Sequence, residues 1–248
     1  MEQPLLTPAS PDDLNRLLKA WRFWVLAALI GGLLGALVYV IAPPPYRARA
    51  SVLVDFNIEE AFTPTADKQV FYYLEREVRK LETIAWSDAV MQSVADKVGG
   101  VTVTELRGGV LMLSQPAEAD WHFWAEDRDP KRAAQLATAW AAAFTQQLKD
   151  AATASMALQS YHATIASGCG TQCDQIETRI ADLEAPAQGI SPYVEVALTQ
   201  KKELPVTRKL NISTYILVGA IAALAFGILF ILFMGPRRVG AERKEGGK

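Results

Sequence analysis

The chain has 248 residues and a formal net charge of −2. Its length suits one main domain with appendages and is too short for a large multi-domain enzyme. Because the charge is close to zero, no broad basic surface is expected, so nucleic acid is not expected as a partner. Hydrophobic residues make up 50% of the chain, and many of them are concentrated in one long run near each end.

The two hydrophobic runs predict transmembrane helices at residues 22–42 and 215–234. Neither 23–42 nor 215–234 contains a charged side chain, and about 20 helical residues span a hydrocarbon core of about 30 Å. A buried core helix is the alternative for each run, and a cleaved signal peptide is a further alternative for the first. The first run exceeds the usual apolar core of a signal peptide and ends in prolines without a small-residue cleavage site, which favours a retained anchor.

The positive charges beside the two runs predict the orientation of the chain. Short segments rich in Lys and Arg stay on the cytoplasmic side of a membrane. We therefore expect both tails, residues 1–21 and 235–248, in the cytoplasm, residues 43–214 outside it, and the protein in the cell (inner) membrane. The charges on which this rests are Arg16, Lys19, Arg22, Arg237, Arg238, Arg243 and Lys244.

Residues 43–214 predict an extracytoplasmic α+β domain with a mixed sheet. Alternation of apolar and polar residues predicts the strands, and Gly108-Gly109 is a hairpin-type turn signal between two of the shorter ones. Apolar residues at helical spacing predict two helices before residue 100, the second with Ser87 as its N-cap. The first and last strands are expected to run antiparallel in one sheet. The strands are expected at residues 46–56, 102–106, 110–113, 120–127 and 193–199, and the two helices at 68–81 and 87–98.

A projecting helical hairpin is predicted at about residues 130–185. Asp129 is a good N-cap and Pro130 suits the first position of a helix, so a long helix is expected to start there and run to Ser167. At 1.5 Å per residue it would be on the order of 55 Å long, more than a compact domain of this size needs. A return helix at 173–185 can fold back against it.

Cys169 and Cys173 are the only cysteines in the chain. A disulfide that closes the turn between the two helices is the favoured interpretation outside the cytoplasm, and two free thiols are the alternative. A metal site is disfavoured, because His122 and His162 are the only histidines and they do not complete a spaced four-ligand set.

No residue pattern for catalysis or cofactor binding occurs in the sequence. Gly31-Gly32 and Gly35 lie inside the first hydrophobic run and are not followed by the Lys-Ser or Lys-Thr of a phosphate-binding loop. No Gly-x-Ser-x-Gly motif is present either. We therefore expect no catalytic, cofactor-binding or metal site and no enzymatic activity.

The order of these segments resembles the polysaccharide co-polymerases, also called Wzz-type chain-length determinants. The resemblance covers nearly the whole chain, from the first span to the last. It rests on the prolines and strand that follow the first span, on Ser87-Asp-Ala-Val-Met, and on a strand that runs into Asp129-Pro130 and a long helix. The small domain and the absence of a nucleotide loop are most similar to the short members that pair with a separate cytoplasmic tyrosine kinase, and the short hairpin is a departure from the long members.

The resemblance implies a non-enzymatic membrane scaffold that regulates chain length, polymerisation and export of a surface polysaccharide, such as lipopolysaccharide, capsule or exopolysaccharide. It implies a ring of identical subunits around the polymerase. The expected partners are the lipid bilayer and the polymerase, a cytoplasmic tyrosine kinase or both. Phe123 and Trp124 are candidate interface residues, whereas Trp121 and Trp140 suit the domain core equally well. Two alternatives are an adaptor whose basic tail, 237–248, docks and activates the kinase, and a surface-sensing receptor domain.

Overall fold

The computed structural model describes residues 21–61, 67–114, 120–199 and 204–234. The tail charges Arg16, Lys19, Arg237, Arg238, Arg243 and Lys244, and with them the proposed kinase-docking tail, lie outside the described residues. The chain divides into two compact units. One consists of the two ends of the chain, and the other is Pro45–Lys209.

The described residues form six main helices and five strands, which we number in chain order. Between them lie single helical turns at Ile58–Ala61 and Val103–Glu105. The elements are α1 (Trp21–Ile41), β1 (Tyr46–Asp55), α2 (Asp67–Ala85), α3 (Asp88–Val98), β2 (Leu111–Ser114), β3 (Asp120–Asp127), α4 (Pro130–Ser167), α5 (Cys173–Ala187), β4 (Glu195–Thr199), β5 (Val206–Arg208) and α6 (Ile212–Met234).

The terminal unit is a pair of apolar helices, α1 and α6. Both are long and apolar enough to cross a membrane. Gly31 lies against Gly219, and Gly35 lies against the backbone of Tyr215. Position 35 of α1 thus meets an earlier position of α6 than position 31 does, so the two helices run antiparallel. Because a glycine has no side chain, it lets the backbones approach closely, as in membrane helix pairs.

The central unit contains a five-stranded antiparallel sheet with strand order β2-β3-β1-β4, and β5 pairs with the other end of β1. The expected antiparallel pairing of first and last strands is present between β1 and β4. The prediction of a mixed sheet is wrong, because every strand pair among the described residues is antiparallel. β3 and β4 do run in the same direction, but β1 lies between them, so they form no parallel pair.

The core lies between one face of this sheet and α4. Successive strand residues point to opposite faces, so alternate residues of β1 and β3 face the helix. They bury Val52, Trp121 and Phe123 against Trp140 and Phe144 of α4. The ring of Phe123 stands perpendicular to that of Trp140 at 4.9 Å, and Trp121 stacks on Phe144 at 5.8 Å.

The segment 102–106 forms a helical turn and not the expected strand. Thr102 accepts a hydrogen bond from the main-chain N–H of Glu105, and the Glu105 carboxylate accepts one from the N–H of Thr102. This reciprocal capping box satisfies two N–H groups that a new helix leaves without partners, so the local signal favours helix over strand. The chain then makes a wider turn, in which Gly109 has a φ of 113°, before β2 starts at Leu111.

The helical hairpin consists of α4 and α5. Asp129 caps α4 by accepting a hydrogen bond from the main-chain N–H of Lys131, and Pro130 is the first helical residue. α4 has 38 residues, which corresponds to about 57 Å. α5 runs two residues beyond the expected end, through Pro186, and is followed by Gln188 in the left-handed conformation.

Candidate interaction surface

The sheet face opposite the core carries most of the polar side chains of the strands. We call it the outer sheet face. Strand alternation places its residues together, and all of them are exposed or half-buried. It consists of Arg47, Arg49, Ser51, Leu53 and Asp55 on β1, Met112 and Ser114 on β2, Asp120, His122, Trp124 and Glu126 on β3, Glu195, Ala197 and Thr199 on β4, and Thr207 on β5.

Trp124 is the largest side chain of this face and lies beside two arginines. Arg49 is its direct partner in the register of β1 and β3, and Arg47 is one residue pair further along the face. Each guanidinium carbon lies 5.4 Å from the centre of a Trp124 ring. A cation at this distance is attracted by the ring, so the indole holds two positive charges close together. On its other side Trp124 is paired with Met112, which is 44% exposed.

A salt-bridge network joins β1, β3 and the end of the unit. Arg47 donates from Nε to Glu126 Oε1 at 2.9 Å, and Lys209 donates from Nζ to Glu126 Oε2 at 3.0 Å. Burial of the Glu126 carboxyl raises its pKa, but the hydrogen bonds from Arg47 and Lys209 outweigh burial, and the pKa is lowered overall. Glu126 is therefore ionised at neutral pH and offsets part of the positive charge at this end of the face.

His122 lies on the same face of β3 as Trp124, near Arg49. Its Nδ1 is 3.1 Å from the hydroxyl of Ser51, the residue that faces it on β1. Burial lowers the pKa of the imidazole, the charge on Arg49 lowers it further, and Asp120 acts in the opposite direction. The imidazole is therefore neutral at pH 7, and a proton on it would add a charge beside Arg49.

The charges of the outer sheet face are separated along β1. Arg47 and Arg49 lie where the strand begins, with Lys209 nearby. Asp55 lies where the strand ends, paired with Glu195 of β4. A second copy turned by 180° would bring its acidic end onto the basic end of the first. Such self-complementarity is what a two-fold interface between identical subunits requires.

The structure separates the two residues that the sequence analysis offered as an interface. Trp124 lies on the outer sheet face, whereas Phe123 has no exposed surface and packs against Trp140 and Phe144. The assignment of Phe123 to an interface is wrong, because neighbouring strand residues point to opposite sides of a sheet. Trp121 and Trp140 are also in the core.

Cys169 and Cys173 are joined in a disulfide at the turn between α4 and α5, with their Cα atoms 5.2 Å apart. The bond encloses one short 3₁₀ turn, Gly170–Gln172. Cys173 is the first residue of α5 and Cys169 comes two residues after the end of α4, so the disulfide ties the start of the return helix close to the end of α4. Among the residues that the structure describes, no group of three His, Cys, Asp or Glu side chains could hold a metal ion.

The arginine partners of Trp124 are the part of this surface that the sequence analysis missed. The alternation within each strand was visible, and it indicates which residues share a face. The pairing of Arg49 with Trp124, however, depends on the register between strands that are about 70 residues apart in the chain.

Comparison of the sequence with models of known protein families and with curated proteins gives no match.

Proposed function

We propose that the chain is a membrane-anchored scaffold, without enzymatic activity of its own, that regulates the chain length and export of a surface polysaccharide. The assignment to polysaccharide export rests on the resemblance of the sequence to the co-polymerases. The observation that carries the scaffold role is the outer sheet face, a large polar and aromatic surface whose charges complement those of a second copy.

The ends of the central unit support the proposal that this domain is inserted between two spans. The main-chain N–H of Lys209 donates to the carbonyl oxygen of Pro45 at 3.0 Å, so the first and last residues of the central unit meet. A segment inserted between two neighbouring antiparallel membrane helices begins and ends at positions that lie close together. The basic tails favour a cytoplasmic location for both termini, and the disulfide suits an oxidising compartment outside.

Self-association through the outer sheet face pairs two copies of the scaffold, and the ring that the resemblance implies would need a second, head-to-tail contact. Two copies related by a two-fold axis would each place Arg47 and Arg49 near Asp55 and Glu195 of the other. Trp124, Met112 and Leu53 would supply apolar contact area at the same face, and the last two are each more than 40% exposed. Aromatic and arginine side chains of this kind dominate the binding free energy of many interfaces.

Deletion of the gene in its own host tests the biological role. We expect the surface polysaccharide to lose its preferred length, measured as a broadened size distribution on gels or in size-exclusion chromatography. Re-expression of the wild-type chain should restore the distribution, and Trp124→Asp should not. An unchanged distribution after deletion would contradict the proposed function.

Charge reversal tests the interface. In detergent micelles or phospholipid nanodiscs, Trp124→Asp and Arg49→Glu should each lower the oligomer mass, measured by light scattering. Arg49→Glu combined with Glu195→Arg exchanges the charges at the two ends of the face and should recover part of the oligomer mass. Tyr72→Asp is the matched control, because Tyr72 is 67% exposed on α2 and is not part of the outer sheet face. Equal masses for all four variants and the wild type would reject this face as the interface.

A further inference from the structure

A groove of about 540 Å³ lies between the two helices of the hairpin and the turn that follows α5. We call it the hairpin groove. α4 contributes Leu158, Gln159 and His162, α5 contributes Glu184, and the turn contributes Pro192 and Tyr193. Its volume lies within the range of about 300–1,000 Å³ that is common for small-ligand sites. It opens to solvent, so a ligand longer than the groove can extend past it.

Tyr193 is held in place from two sides. The side-chain amide of Gln159 donates to the Tyr193 hydroxyl at 3.0 Å, which ties the ring to α4. The side-chain amide of Asn57 donates to the main-chain carbonyl oxygen of Tyr193 at 2.9 Å, which ties its backbone to the end of β1. A ring held in this way loses little freedom when a ligand binds.

The rest of the turn is anchored to α2 by a buried carboxylate. Glu77 is 1% exposed and accepts hydrogen bonds from Lys80 Nζ at 2.7 Å and from the main-chain N–H of Ser191 at 3.4 Å. Lys80 also donates to the carbonyl oxygen of Gly189. The turn is therefore bound to α2, β1 and α4, and the groove is already formed without a ligand.

The chemistry of the groove combines planar polar groups with apolar surface. Gln159, His162 and Glu184 are exposed and offer an amide, an imidazole and a carboxylate, which together can donate and accept several hydrogen bonds. Leu158, Pro192 and the Tyr193 ring form apolar walls beside them. A sugar ring has the matching surface, with hydroxyl groups around its edge and C–H groups on its faces.

We propose that the hairpin groove binds a short segment of a polysaccharide. The identity of that polymer as the host's own surface polysaccharide rests on the proposed function. Gln159, His162 and Glu184 bond to the hydroxyl groups of one sugar residue, and Tyr193 contacts its C–H face. Neighbouring sugar residues continue into solvent, so the site accepts an internal stretch of a long chain.

Saturation-transfer NMR on the full-length protein in phospholipid nanodiscs tests this site. The probe is a mixture of oligosaccharides released by mild acid from the surface polysaccharide of the host. We expect transfer to the sugar ring protons with the wild type. His162→Ala combined with Glu184→Gln should weaken binding about tenfold, since one hydrogen bond to the ligand is lost and the bond to the charged carboxylate becomes a weaker, neutral one.

Glu177→Gln is the matched control, because Glu177 is also an exposed glutamate of α5 but lies two turns from Glu184, outside the groove. It should bind as the wild type does. Absence of transfer with the wild type, or equal transfer with the double variant, would overturn the site. Neither result depends on the gene deletion. Binding that the double variant loses, without any effect of deletion on polymer length, would retain the site and reject the proposed function.

Discussion

Trp140 joins three elements of the central unit through one side chain. Its ring lies in the core, 4.8 Å from the ring of Trp86 and 4.9 Å from that of Phe123. Its Nε1–H donates to the carbonyl oxygen of Ala85, the last residue of α2, at 2.8 Å. A buried indole thus fills the space between sheet and helix and also satisfies a carbonyl at a helix end, which otherwise lacks a partner.

Replacement of Trp140 should destabilise the domain more than replacement of any tryptophan on its surface. Trp140→Ala should lower the free energy of unfolding by about 3–5 kcal/mol through the cavity it leaves. Trp140→Phe should cost about 1–3 kcal/mol, because the carbonyl of Ala85 loses its donor. Urea titration in detergent measures both. Trp124→Phe, at a half-buried position, should cost less than about 1 kcal/mol, and similar losses for Trp124→Phe and Trp140→Phe would contradict this account.

Glu126 should make stability depend on pH in the acid range. Its pKa is lower in the folded protein than the ordinary value of 4.5, so folding favours the ionised form. The stabilisation is fully present above pH 4.5 and is lost as the pH falls through the folded-state pKa. Glu126→Gln should therefore be less stable than the wild type at pH 7, and the difference should shrink on acidification. A difference that grows toward low pH would have the wrong sign.

Elements with strong local signals could be predicted from the sequence alone. β3 matches its predicted bounds, 120–127, and α4 begins at Pro130, because alternation and the Asp-Pro start signal act within a few residues. β5 was missed. It has only three residues, too few for a visible alternation, and exists because it pairs with the first residues of β1.

The outer sheet face and the hairpin groove were predictable only in part, because they too depend on contacts between distant segments. The side of the sheet on which Trp124 lies follows from the alternation of strand residues. The same alternation places Phe123 on the opposite side, in the core, since adjacent residues of a strand cannot share a face. The contacts of Arg47 and Arg49 with the indole, and the tie between Gln159 and Tyr193, depend on how distant segments pack. No local pattern in the sequence encodes that packing.

Close packing of α1 on α6 depends on Gly35 but not on Gly32. A Cβ at position 35 would collide with the carbonyl oxygen of Tyr215, whereas one at position 32 would meet a methyl group of Ile216 at 3.3 Å. We expect Gly35→Ala to cost about 1–3 kcal/mol and to separate the helices, and Gly32→Ala to be tolerated. Oxidative cross-linking of Tyr39→Cys with Tyr215→Cys, whose rings lie 5.4 Å apart, measures the pairing in membranes. Equal cross-linking of the two alanine variants would contradict the prediction.

At the scale of the whole molecule, the proposed function requires both apolar helices to cross the bilayer, with the two tails on one side and the central unit on the other. The Lys and Arg residues of the tails favour the cytoplasm for the first side. The disulfide between Cys169 and Cys173 favours an oxidising compartment for the second.

Cysteine labelling in cells should report this topology. With Cys169 and Cys173 replaced by serine, a cysteine at Ser160, exposed on α4, should react with a membrane-impermeant maleimide when only the outer permeability barrier is opened. A cysteine at Ser10, in the N-terminal tail, should react only after the inner membrane is disrupted. The reverse labelling pattern would place the central unit in the cytoplasm and remove the basis of the proposed function.

The hydrogen bond between Lys209 and Pro45 also has a use in protein engineering. Since the ends of the central unit meet, a linker of a few residues can join them, and new termini can be opened at an exposed turn elsewhere. Such a circular permutant would carry no hydrophobic anchors. It could be produced in water and displayed by fusion at its new ends, with the sheet and hairpin unchanged.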